Sequence, residues 1–257
     1  MTDLAIIGGT GLGSLAGLDI TNKTVRRTPY GEPSGPFIHG QIGGREVVFL
    51  ARHGPGHTIP PHKINYQANI WALHELGARR IIAINAVGGI AADLHPGRLA
   101  FPDQIIDYTW SRGHTFFEDH APKVTHIDFT EPYCTHLRGL LMRAAAQAGI
   151  DAVTTGVYGA TQGPRLETAA EIDRMDRDGC TMVGMTGMPE AALAREMNMN
   201  YAACAAVANW AAGRGAGLIT MQEIEAQLKH AMRKVRTLLE AVIPLIDSAP
   251  TASESQA

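Results

Sequence analysis

Residues 4 to 15 read LAIIGGTGLGSL, a short apolar run followed at once by a glycine-rich turn. That order suits a buried strand running into a loop that binds phosphate through its backbone. Three phosphates are candidates: a dinucleotide's pyrophosphate, a nucleoside triphosphate, or free orthophosphate. GGTGLG does not keep the G-x-G-x-x-G spacing cleanly. The acid that should end a second strand about twenty residues later is absent from TNKTVRRTPYGEP, residues 21 to 33. No G-K-[ST] closes the turn, so it is not a P-loop. A nest of N–H groups at Gly8, Gly9 and Gly11 remains, with the Thr10 hydroxyl beside it; a plain glycine turn is the alternative.

Outward from this stretch, short apolar runs alternate with segments of helical period, as in an α/β fold whose sheet is covered on both faces. Strands are expected at 4–7, 46–51, 80–85, 104–108, 155–161, 181–185 and 201–207. KINYQANIWALHELG should be a helix ending at Gly77, and TAAEIDRMDRDG one that opens with Thr168 and Glu171 at capping-box spacing and stops at Gly179. The last helix repeats Met221, Ile224, Leu228, Met232, Val235, Leu239 and Val242 as one buried stripe. One domain over 1–247 is expected, with a disordered tail over 248–257.

The 257 residues are 45% hydrophobic, enough for a sizeable core. A net charge of -3 gives no field suited to nucleic acid or an anionic membrane. Small-molecule chemistry is the expectation. Cys134, Cys180 and Cys204 are odd in number and scattered, which argues against a disulfide framework and fits a reducing cytoplasm. No signal-peptide pattern opens the chain, and no run of about 18 apolar residues occurs in it.

Several strand-like runs end in a polar residue. ARHGPGHTIPPHKINY sets Arg52, a planar fork of donors, and His53, a possible further donor, directly after an apolar run. His53 and His57 share H-x-x-x-H spacing, but the glycines and prolines between forbid the helix that would align them. His114, His120 and His126 lack tight spacing as well, so no metal is expected. IIAINAVGGI runs into Asn85 and Ala86, small residues that allow a ligand close to the backbone or make a tight turn. Glu167 precedes a helix start, where capping is the plainer role and projection into a cleft the other. MVGMTGMPEAALA ends a strand at Thr186, and CAAVANW ends one at Asn209, a residue type that often only forms turns. A crevice at the strand ends, holding an anion and a heterocycle, would explain them together.

IIGGTGL, ARHG, HTI, NYQANIWAL, EPYC, GPR and MTGMPEAALA strongly resemble methylthioadenosine phosphorylase, within the trimeric purine nucleoside phosphorylase family, across residues 3 to about 247. The resemblance implies a single α/β domain with a mixed, twisted central sheet flanked by helices. It also implies a homotrimer, no metal and no organic cofactor, and orthophosphate as co-substrate. Position by position, it places phosphate against Thr10, Arg52, His53, Asn85, Ala86 and Thr186, and Met185 under the ribose. His126, in THIDFTEPYC, would reach the 5′ substituent across a subunit interface, and Met221, Ile224 and Leu228 would line a 5′-alkylthio pocket.

This chain also departs from the adenine-specific members. Those carry an aspartate in T-D-Y-D and a serine after G-P-R-F, where this chain has VANWAA and GPRLET. Glu167 and Asn209 resemble the pair with which 6-oxopurine-specific members hold hypoxanthine or guanine. A carboxylate can accept the N1 hydrogen of hypoxanthine, whereas adenine's N1 is itself an acceptor. The expected reaction is therefore phosphorolysis of S-methyl-5′-thioinosine to hypoxanthine and 5-methylthioribose 1-phosphate, with Asn209 as the catalytic leaving-group partner. Inosine/guanosine cleavage and methylthioadenosine cleavage are the alternatives, and a non-catalytic nucleotide-binding module is the alternative of another class.

Overall fold

Leu4, Ala5, Ile6 and Ile7 are all fully buried in the computed structural model, which describes residues 2–10, 12, 17–118 and 124–246. Gly11, His120 and the proposed tail over 248–257 lie outside the described residues. The first strand, β1 (Leu4–Gly8), sends Leu4 and Ile6 into one core and Ala5 and Ile7 into another. Two buried faces explain the unbroken apolar run. The first core is closed by α2 (Thr135–Gln147) and α5 (Met221–Val242), the second by α1 (Tyr66–Glu75) and α4 (Glu190–Glu196). A further helix, α3 (Ala169–Arg177), begins with the capping box of Thr168 and Glu171 and ends before Gly179, whose φ is 95°.

The remaining strands are β2 (Asp19–Thr24), β3 (Phe37–Ile42), β4 (Arg45–Ala51), β5 (Arg80–Gly89), β6 (Leu99–Ala100), β7 (Gln104–Asp107), β8 (Ala152–Val153), β9 (Val157–Ala160), β10 (Met182–Gly184) and β11 (Asn200–Trp210). They form a mixed sheet in the order β2-β3-β4-β1-β5-β10-β9-β7, with β11 along β5, β6 beside β11, and β8 beside β6. Two strands run longer than expected. β5 continues past Asn85 through both glycines, and β11 past Val207 to Trp210, because the two pair along this whole length. β2 is almost wholly exposed and shows no alternation that could announce it.

What creates the site is a change of partner along β5. Residues 80–83 of β5 pair with β1 in parallel, whereas Gly88 and Gly89 pair with β10 in antiparallel fashion. β1 and β10 thus approach each other from opposite ends and leave the middle of β5 unpaired on the edge opposite β11. Such switch points are where open α/β sheets bind ligands. Among the described residues, no helix is long and apolar enough to cross a membrane.

Candidate active site

A cavity of about 570 Å³ opens over this gap, with Ala86, Val87 and Gly88 of β5 as its floor. Gly8 and Ala51 are register partners at the ends of β1 and β4, so Gly9-Thr10 and Arg52-His53 leave the sheet side by side. Thr10, His53 and Thr186, the last just after β10, line this end of the cavity. Gly9 has no room for a side chain: a Cβ would stand 2.6 Å from the Ile84 carbonyl oxygen and 3.0 Å from Arg52 Nη1. Neither Gly8 nor Gly9 is among the glycines with positive φ. At these two positions glycine provides close approach and not the left-handed backbone that a nest would use.

Arg52 stands behind this wall and not on it. Fully buried, it donates from Nε (2.7 Å) and Nη2 (2.8 Å) to the two carboxylate oxygens of Glu190, and from Nη1 to the Ile84 carbonyl (3.1 Å). Burial works against the charged guanidinium, but the Glu190 carboxylate outweighs it and raises the Arg52 pKa above its usual value. Asn85 is likewise in the second layer: its Nδ2 donates to Thr186 Oγ1 at 2.9 Å. With a lone pair so occupied, the Thr186 hydroxyl is left to donate its own hydrogen.

His53 also differs from expectation. Its Nδ1 lies 2.8 Å from the Ile59 carbonyl oxygen, and its ring centroid 4.3 Å from that of His57. Burial, reinforced by the neighbouring Arg52 charge, lowers its pKa to about 4. The ring is neutral at physiological pH, and its one donor is already committed.

Farther along the floor, Glu167 and Asn209 both line the cavity. Glu167 is no cap, since Thr168 and Glu171 serve α3 by themselves. Its Oε1 accepts from Thr161 Oγ1 at 2.7 Å, which fixes the carboxylate and leaves the other oxygen for a ligand. Asn209 follows a β-bulge: Val207 pairs with Val87 and Asn209 with Gly88, so Ala208 is the extra residue. The bulge breaks the alternation, and Ala208 and Asn209 both face the cavity. Asn209 Nδ2 donates to the Trp210 carbonyl at 2.7 Å, leaving its second amide hydrogen. Gly88 packs tightly here, because a Cβ on it would lie 3.2 Å from Val183 Cγ1 and 3.3 Å from Ala211 Cα.

Apolar residues make the rest of the lining. Met185 is half-buried, and Ile224 and Leu228 belong at once to the core of α5 and to the cavity wall. Met221 corrects the expected stripe: as the first residue of α5 it is 63% exposed and sits at the cavity mouth, outside the core. His126 is exposed and does not line the cavity of its own chain. Among the described residues, no three His, Cys, Asp or Glu side chains gather as a metal site would require.

Three supporting residues escaped the sequence reading. Glu190 sits in the quoted MTGMPEAALA, where an acid within an apolar run was the available signal. Thr161 and Arg112 carried none. Arg112 donates to the carbonyls of Met185 (2.9 Å), Met188 (2.6 Å), Thr161 (3.1 Å) and Gln162 (2.8 Å), tying together the two loops that carry Thr186 and Glu167.

Comparison with known proteins identifies the family of the chain. Residues 3–244 match the family described as "Phosphorylase superfamily". A Pseudomonas syringae pv. tomato protein named "Probable S-methyl-5'-thioinosine phosphorylase" is 54% identical over 243 residues, which is 95% of this chain and 99% of that protein. The "6-oxopurine nucleoside phosphorylase" of Pyrococcus furiosus is 47% identical over 251 residues, 96% of this chain and 94% of the relative. Methylthioadenosine phosphorylase from Schistosoma mansoni, solved in complex with adenine, superposes with a TM-score of 0.94 at 30% identity, covering 100% of this chain and 96% of that one. Sequence match, relatives and fold agree over nearly the whole chain, which belongs to the phosphorylase superfamily.

Proposed function

We propose that the protein cleaves S-methyl-5′-thioinosine with orthophosphate, giving hypoxanthine and 5-methylthioribose 1-phosphate. The observation that carries this reading is the joint lining of one cavity. The fixed Glu167 carboxylate and Asn209 lie on one wall, the apolar Met221, Ile224 and Leu228 on another, and the hydroxyls of Thr10 and Thr186 at the sheet gap. Glu167 accepts the N1 hydrogen of the base, and the free amide hydrogen of Asn209 is directed to N7. An apolar wall suits a methylthio group, which offers a buried polar partner nothing. Relatives named for this reaction support the reading.

In the reaction, the C1′–N9 bond breaks with its electron pair passing into the purine, and a phosphate oxygen forms the new bond to C1′ from the opposite face. Thr10 and Thr186 hold the nucleophile beside the Ala86 backbone, Met185 packs under the sugar, and the buried Arg52–Glu190 pair braces the wall behind Gly9. Asn209 stabilises negative charge arriving on the base. Catalysis rests on positioning and electrostatics, with no covalent enzyme intermediate. We take the reaction to need no metal or organic cofactor and to run in the cytoplasm, in keeping with three buried free cysteines. The active form is taken as a homotrimer in which the exposed His126 serves a neighbouring subunit's site.

The test is turnover of methylthioinosine, methylthioadenosine, inosine and guanosine, with and without phosphate, and again after EDTA treatment. Phosphate-dependent cleavage, fastest in kcat/KM for methylthioinosine and unchanged by EDTA, is expected. Faster cleavage of methylthioadenosine would overturn the base assignment, and loss of substrate without phosphate would overturn the reaction.

A further inference from the structure

Sulfate and hydrogen phosphate are tetrahedral dianions of similar size, so charge alone separates them poorly. They differ in one hydrogen: hydrogen phosphate carries a P–OH, and sulfate carries none. A site tells them apart only if it presents an acceptor to the anion as well as donors.

His53 provides that acceptor. A carbonyl oxygen only accepts, so the 2.8 Å contact between Nδ1 and the Ile59 carbonyl requires the hydrogen on Nδ1. In a neutral ring the other nitrogen, Nε2, then carries a lone pair, and no described group pairs with it. Neutrality follows from the surroundings: the ring is buried, Arg52 is its chain neighbour, and the His57 ring is 4.3 Å away. Glu190 neutralises Arg52 through both carboxylate oxygens, so this end of the cavity is not dominated by bare positive charge. Hydrogen-bond pattern is left to discriminate.

Resting on the phosphate site proposed above, we infer that His53 accepts a hydrogen bond from the P–OH of hydrogen phosphate through Nε2, and thereby selects hydrogen phosphate over sulfate. The hydroxyls of Thr10 and Thr186 donate to the other oxygens. Against sulfate, the Nε2 lone pair would face an oxygen lone pair, leaving a buried acceptor unpaired. Hydrogen arsenate, which carries an As–OH, should behave as phosphate does.

The experiment is calorimetric titration of the full-length protein with phosphate, arsenate and sulfate at mildly alkaline pH, alongside phosphorolysis of methylthioinosine. Phosphate and arsenate should bind within a few-fold of each other and sulfate at least about tenfold more weakly. In His53→Gln, whose amide can turn a donor toward the anion, that ratio should fall toward one. Nitrogen-15 NMR of the His53 ring in the unaltered protein supplies a reading that does not depend on the variant folding, and the hydrogen should be on Nδ1. Sulfate binding as tightly as phosphate, or a hydrogen on Nε2, overturns the inference while leaving phosphorolysis intact. Absence of phosphorolysis overturns the functional reading and this inference with it.

Discussion

At Glu167, the Thr161 hydroxyl occupies one carboxylate oxygen, so the group meets a base with a single acceptor in a fixed direction. Glu167→Gln should lower kcat/KM for methylthioinosine by roughly 10- to 100-fold, the worth of one hydrogen bond to a charged group. Its effect on methylthioadenosine should be much smaller, and steady-state kinetics on both nucleosides would check the difference. His53 yields a prediction on stability. Its pKa is lowered from 6.5 to about 4, chiefly by burial, so between those values the unfolded chain binds a proton that the folded one does not. The contribution is complete above pH 6.5 and is lost as pH falls toward 4. Denaturant unfolding across that window should show the unaltered protein losing on the order of 3 kcal/mol more than His53→Gln.

Among the elements, α4 illustrates how a short helix controls a site it does not line. Its first residue, Glu190, is completely buried, takes both oxygens to Arg52 and also accepts from Tyr201 Oη at 2.8 Å. Glu190→Gln would leave a buried guanidinium without its counter-charge. A loss of about 3–5 kcal/mol is expected, read as a lower urea midpoint at unchanged slope. The elements also show which parts of the chain could be read in advance. β1, α1, α3 and α5 were legible because burial and capping leave periodic traces: four consecutive apolar residues, a threonine and glutamate three apart, a repeated apolar stripe. β2 left none, and the bulge at Ala208 leaves none either, since it exists only in the pairing of β11 with β5.

For the whole molecule, assembly is the property to test. Sedimentation should give a mass about three times 27.5 kDa. If His126 serves a neighbouring subunit, mixing His126→Ala with Asn209→Ala chains should regain activity that neither has alone, because some mixed trimers would place both native residues at one site. No recovery after verified subunit exchange would refute the shared site. Within one chain, the candidate site was largely visible beforehand: Thr10, His53, Ala86, Glu167, Met185, Thr186, Asn209, Met221, Ile224 and Leu228 all line one cavity. Thr10, His53, Ala86, Thr186 and Asn209 stood out because each follows or closes an apolar run and Glu167 because it precedes a helix start, whereas Met185, Met221, Ile224 and Leu228 were reached only through the family resemblance. Which of them face the ligand, and with which atom, was not written in that order. Arg52 turned to Glu190, Asn85 to Thr186, and His53 spent its hydrogen on Ile59. Those partners lie from 6 to 138 residues away in the chain, so hydrogen-bond direction is a property of the folded packing and not of the local chemistry that apolar patterning reveals.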